Sequence, residues 1–250
     1  MLRRSISASL QPPGGPRNSP AFRHRGKDVS RLEGFSDAVF GFALTLLVVS
    51  LDVPSTFDEM MDTLRDTPAF AICFIFLVHF WYMHYRFFRR FGLADVATVM
   101  LNTALLFVLL LYVYPLKFMF SVVIAMITGI GPKRVSSSML TYADASTLFI
   151  VFGIGFVAIY LLFALLYQHA YARRASLELT AIEAHETLTG VAVNLACAGV
   201  GVASIVIAVF VRGLWLQLAG WIYCLTGFAA MSAGILMNRR GKRIRRDSTA

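Results

Sequence analysis

The stretch ASTLFIVFGIGFVAIYLLFALLYQHAYA, residues 145–172, runs for 28 residues without an Asp, Glu, Lys or Arg. About 20 apolar residues in a helix cross the ~30 Å hydrocarbon layer of a bilayer, and a helix bonds every backbone polar group internally, as that layer demands. Outward from this run, further charge-free stretches occupy residues 38–51, 67–85, 96–116, 187–211 and 213–238. Of the six, only 38–51, with 14 residues, is too short to span by itself. It reaches spanning length when residues 34–37 are included, and it then carries Asp37. A carboxylate facing lipid costs a few kcal/mol even on the lenient insertion scale, so this helix is expected to line the bundle interior or a water path.

The composition agrees with the runs. Of 250 residues, 58% are hydrophobic and 15% charged, against roughly 45–50% and about 25% in ordinary soluble domains. Such a chain is neither disordered nor, with three cysteines, a disulfide scaffold. Cys73, Cys197 and Cys224 sit in apolar runs without CxxC spacing and read as small buried hydrophobes. The expected fold class is all-α, a polytopic membrane protein with six transmembrane helices over residues 31–238. A disordered basic tail, residues 1–30, precedes it, and a basic cytoplasmic tail, residues 239–250, follows it. The first tail is also compatible with an organellar transit peptide, whereas the apolar core of a secretory signal is missing.

Orientation follows from the basic residues flanking the spans. Eighteen Lys and Arg fall on the side shared by both termini and four on the other, with Lys117 at the end of the third run. Both termini are therefore expected to be cytoplasmic. The first external loop is acidic, with Asp52, Asp58, Glu59, Asp62 and Asp66, a solvated loop or a device that gathers cations. The net charge of +9 lies beside span ends, where anionic membrane lipids account for it, so nucleic acid is not an expected partner.

The first span reads RLEGFSDAVFGFALTLLVV, residues 31–49. At 100° per residue Phe35, Phe42 and Val49 form one stripe, flanked by Val39, Thr45 and Leu46. Asp37 points about 140° away from Phe42 on an ideal helix. If the Phe42 stripe faces a central axis, Asp37 faces back into its own subunit and needs a partner there. The second span offers candidates, because His79, Trp81 and His84 share one helix and the last two share a face. Two readings stay open: a buried polar cluster of Ser36 and Asp37 with Trp81 or His84, or a helix cap at Ser36 or Asp37 with Trp81 as an interfacial anchor. Arg31 is a candidate counter-charge.

Enzyme chemistry is not expected. His79 and His84 diverge on a helix, and His185-Glu186 lacks the second His of a zinc-hydrolase helix, so no metal or other cofactor is implied. The glycines, among them Gly153, Gly155, Gly199, Gly201 and the seven-spaced Gly220, Gly227 and Gly234, read as helix-packing positions. A carbonyl-lined filter sequence and a voltage-sensor helix are both missing.

Arg31-x-x-x-Phe35-Ser36-Asp37 resembles the signature of the transmembrane protein 175 family of potassium channels in its prokaryotic single-repeat form. Trp81-x-x-His84 with Tyr85-Arg86, and Leu101-Asn102 with Pro115, are similar to the same family. The resemblance implies a homotetramer whose first helices surround a pore narrowed by apolar rings, conducting potassium ions in a bacterial cell membrane. The narrowest ring would fall at Phe42, where family members usually carry Ile or Leu, with Thr45 one turn further on. Arg31, Phe35, Ser36, Asp37, Trp81 and His84 would form a structural lock around the first helix. The alternative is a proton-coupled transporter using Asp37, His79 and His84, since ionisable groups inside a membrane often mark relays.

Overall fold

The computed structural model describes residues 22–26, 28–51, 54–129, 142–211 and 213–247. Five long helices come first: α1 Arg31–Val49, α2 Phe57–Phe91, α3 Val96–Thr128, α4 Tyr142–Ala172 and α5 Ala181–Phe210. The sixth run divides into a 3-10 turn Gly213–Gln217, α6 Leu218–Trp221, a second 3-10 turn Ile222–Leu225 and α7 Thr226–Asp247. Six segments are long and apolar enough to cross a membrane, the last being Trp215–Met237, and the described residues contain no strand. The fold is therefore all-α, with alternate helices running in opposite directions. One end of the bundle, with Arg31, Phe91, Ala172 and Ala181 at its helix termini, is called the basic end below.

Local chemistry fixes the helix boundaries. Ser30 and Glu33 form a reciprocal capping box at the start of α1, and Thr180 and Glu183 form another at α5. Thr56 caps α2, and Gly92, at φ +60°, ends it in the left-handed region that glycine enters without strain. Asp95 caps α3 through Thr98 and also takes His169 Nε2 at 2.8 Å and Arg173 Nη2 at 3.0 Å from the end of α4. Partial burial acts to raise the Asp95 carboxyl, but the hydrogen bonds from Thr98 and His169 outweigh it and hold it at about 2.

Packing inside a bilayer relies on close fit rather than water exclusion, so small residues matter where helices cross. A Cβ on Gly153 would lie 2.5 Å from Ile205 Cγ1, and one on Gly155 would lie 2.2 Å from the Tyr112 ring. These glycines let α4 approach α5 and α3. Aromatic pairs then fill the interior: Phe80 on Tyr160, Phe87 on Tyr167, and Phe156 on both Tyr160 and Tyr223. The α1 helix packs on α2 and α3 with one stripe, Glu33, Ser36, Phe40, Ala43 and Leu47.

The structure departs from the sequence reading in four places. The acidic residues Asp58, Glu59, Asp62 and Asp66 are not in a loop: α2 starts at Phe57 and carries them on its first three turns, with Asp58 and Glu59 in the first turn, where carboxylates favour the helix N-terminus. Asp52 lies outside the described residues. Gly199, Gly227 and Gly234 have nothing within 4 Å of an added Cβ, so no neighbour in the subunit exploits them, and Cys224 is exposed rather than buried.

The fourth departure concerns the basic N-terminal segment, whose residues 1–21 and Lys27 lie outside the described residues. Residues 22–26 form a strap docked on the basic end. Arg25 Nη2 and Nη1 grip Glu183 at 2.9 and 3.2 Å, and its Nε donates to the Leu177 carbonyl at 2.8 Å. Phe22 packs edge-on against Phe91, and Arg90 stacks over the Phe22 ring. Composition suggested disorder because the anchoring acid is 158 residues away in sequence. At the other terminus the helical backbone continues to Asp247, with side chains described as far as Met237.

Candidate functional site

The α1 helix is amphipathic in a sense suited to a membrane: one face meets its own subunit and the other is uncovered. Phe42 is 56% exposed and Val49 67%, Thr45 is exposed beside them, and Val39 and Leu46 are half-buried at the edge of that face. Phe35 also lies on the uncovered side. The Thr45 hydroxyl donates to the Gly41 carbonyl at 3.0 Å, which leaves its oxygen able to accept from, or face, whatever occupies the space beyond.

The opposite face is held by polar contacts in two layers. In the layer nearer the basic end, Ser36 Oγ donates to the Leu32 carbonyl at 2.8 Å and accepts from Asn102 Nδ2 at 2.9 Å. Asn102 Oδ1 lies 2.8 Å from His84 Nε2. Ser36, Asn102 and His84 are all at most 1% exposed, so α1, α2 and α3 are joined by a fully buried chain. Phe40 and Phe88 enclose the imidazole. Asp37 sits on the flank of this face, and its Oδ1 accepts from Trp81 Nε1 at 2.8 Å. The capping alternative for Ser36 and Asp37 is excluded, because the N-cap is Ser30, six residues before Ser36, with Glu33 completing the capping box.

Not every singled-out residue joins this layer. Arg31 is exposed and makes no hydrogen bond or ion pair among the described residues. His79 is exposed on the other side of α2, bordering a cavity rather than α1. Asn102 is the member that sequence reasoning passed over as a participant, although a lone amide inside the charge-free run 96–116 was its signal.

The second layer, at the far end of α1, was not anticipated. Lys117 Nζ donates to the Ser50 carbonyl, at the C-cap of α1, at 2.7 Å and pairs with Asp66 Oδ2 at 3.2 Å. Ser121 Oγ donates to Asp66 Oδ1 at 2.5 Å. The lysine and carboxylate side chains are 8% and 2% exposed. An ammonium at a helix C-terminus also meets the negative end of the helix dipole. Among the described residues no three His, Cys, Asp or Glu side chains converge as a metal site.

Comparison with known proteins now gives this architecture a lineage. The sequence profile of the endosomal/lysosomal potassium channel TMEM175 family matches residues 31–112, the segment holding both Asp37 and Asn102. A protein of Marivirga tractuosa named as a potassium channel is 37% identical over 238 residues, covering 92% of this chain and 96% of the relative. The crystal structure of a variant of the potassium channel MtTMEM175 superposes with a TM-score of 0.78 at 36% identity, covering 88% of this chain and 98% of that one. A TMEM175 homologue from Chamaesiphon minutus shares the fold, with a TM-score of 0.54 at 22% identity over 81% of this chain and 96% of that one. The relatives are channels and not enzymes. Motif, length and three-dimensional course agree, and the chain belongs to the TMEM175 family.

Proposed function

We propose that this protein is a potassium channel, a homotetramer in a bacterial cell membrane with both termini cytoplasmic, whose pore is lined by the uncovered face of α1. The observation that carries this reading is the character of that face. On a helix bound for the membrane, Phe42 and Val49 stand uncovered beside the Thr45 hydroxyl, while Asp37, exposed on the flank of the packed face, is held by Trp81. Polar and ionisable groups turned to lipid are costly, whereas a shared axis formed by several copies places them against water or a neighbouring subunit. The names of the two closely matching relatives supply the ion.

In this pore Phe42 forms the narrow ring and Thr45 the polar step one turn on, with Val39 and Leu46 at the wall and Val49 toward the far mouth. A greasy constriction passes an ion only with a partial water shell, so selectivity comes from dehydration and ring width rather than from a cage of carbonyls. Of the lock residues, Ser36, Asp37, Trp81 and His84 then serve to fix the rotation of α1, while Arg31 and Phe35, exposed on the subunit, are left for contacts between copies. The transporter alternative is weaker, because it requires His79 together with Asp37 and His84. His79 makes no hydrogen bond among the described residues and borders a separate cavity.

Purified protein in planar bilayers tests the proposal. Currents reversing at the potassium equilibrium potential, from particles with the mass of four chains, are expected, as is an inter-chain disulfide through Phe42→Cys. Ion movement strictly tied to protons, or residue 42 side chains unable to meet between copies, would overturn it.

A further inference from the structure

A cavity of about 1280 Å³ lies on the side of the subunit away from the α1 contacts, walled by α2, α3, α4, α5 and the broken sixth span. This exceeds the roughly 300–1,000 Å³ of ordinary small-molecule pockets. Its two ends differ chemically. At the basic end Arg86 and Arg90, four residues apart and so on one face of α2, border it, and Glu186 brings one opposing charge. The guanidiniums lie over the rings of Tyr82 and Phe22, and among the described residues neither donates a hydrogen bond. Deeper in, Phe120, Phe152 and Phe156 make the wall apolar.

Between these zones are polar atoms with nothing to bond. Asn194 is 3% exposed, and among the described residues its Oδ1 has no partner, as is true of Thr226 Oγ1, while Tyr223 Oη lies against Ser204. All three residues border the cavity. A buried polar atom left unsatisfied costs on the order of 1–3 kcal/mol, so two in one place point to a missing occupant. Waters satisfy such atoms singly, but they leave the apolar remainder of the wall, at Phe120, Phe152 and Phe156, without an occupant. A second copy is disfavoured by charge, since it would bring its own Arg86, Arg89, Arg90, Arg173 and Arg174 to the same end of the bundle.

We propose that this cavity binds an anionic phospholipid, with the phosphate on Arg86 and Arg90, the glycerol ester region at Asn194, Tyr223 and Thr226, and the acyl chains along Phe120, Phe152 and Phe156. Guanidinium forks suit phosphate oxygens, and from Arg86 to Phe76 the helix rises about 15 Å, room for most of an acyl chain. The site is independent of where the pore lies.

Native mass spectrometry of the solubilised oligomer tests it, with phosphatidylglycerol and phosphatidylcholine of identical chains as probes. Phosphatidylglycerol is expected to remain bound through delipidation in preference to phosphatidylcholine. The pair Arg86→Gln and Arg90→Gln should lower its retention by about tenfold or more, the loss of two charge-assisted hydrogen bonds, at unchanged oligomer mass. Ala230→Phe, which fills the cavity with both arginines intact, should also displace it. Equal retention of the two lipids, or retention unchanged in either variant, overturns the proposal. An inter-chain disulfide through Met83→Cys would do the same by seating a second copy in the cavity.

Discussion

Asn102 joins two side chains that the sequence motif names without connecting them. Its amide gives to Ser36 and its oxygen meets His84, so replacing it by Leu leaves a buried imidazole nitrogen without a partner and α1 without a tie to α3. Asn102→Leu should destabilise the purified oligomer by about 1–3 kcal/mol, read as a lower thermal midpoint. An unchanged midpoint would show that the chain of contacts contributes nothing. Phe42 makes the opposite demand on experiment, because nothing in its own subunit depends on it. Phe42→Ala should leave stability alone and, in the proposed pore, bring the potassium and sodium permeabilities closer together in bi-ionic recordings. An unaltered ratio places the narrow point at another residue.

At the scale of the element, the buried Lys117–Asp66 pair sets the far end of α1 against α2 and α3. Lys117→Met takes the counter-charge from a carboxylate that is 2% exposed, and removing one partner of a buried pair costs about 3–5 kcal/mol. Adding Asp66→Asn should restore most of that loss, and a double variant no more stable than the single would refute the pairing. The Asp95 cap gives a pH dependence. Its carboxyl is held below the ordinary 3.8, at about 2, so its contribution is complete above pH ~4 and is lost as pH falls toward ~2. Acid titration of melting should show this loss, and Asp95→Asn should remove that component.

These elements also show what a sequence conveys. Charge-free runs located all six spans, since bilayer thickness leaves one economical solution. Phe35, Phe42 and Val49 share a face because helical geometry admits no other result. The α2 extension through Asp58 to Asp66 escaped detection, because a charge-free run marks the lipid layer and not the helix end. Glu183 and Arg25, or Lys117 and Ser50, could not be matched from spacing, because each pair is brought together only by the packing of whole helices.

For the whole molecule, the two layers around α1 and the strap before it limit what the helix can do. Arg25 is clamped to Glu183 five residues ahead of Ser30, and Lys117 holds the carbonyl of Ser50 at the other terminus. A piston stroke of one helical turn would carry each anchor about 5.4 Å from its partner, far beyond hydrogen-bond reach. With that stroke closed off, the fastest motion available in the proposed pore is the torsion of the Phe42 ring, which reorients in picoseconds to nanoseconds. Recordings should accordingly show unresolved flicker within open periods.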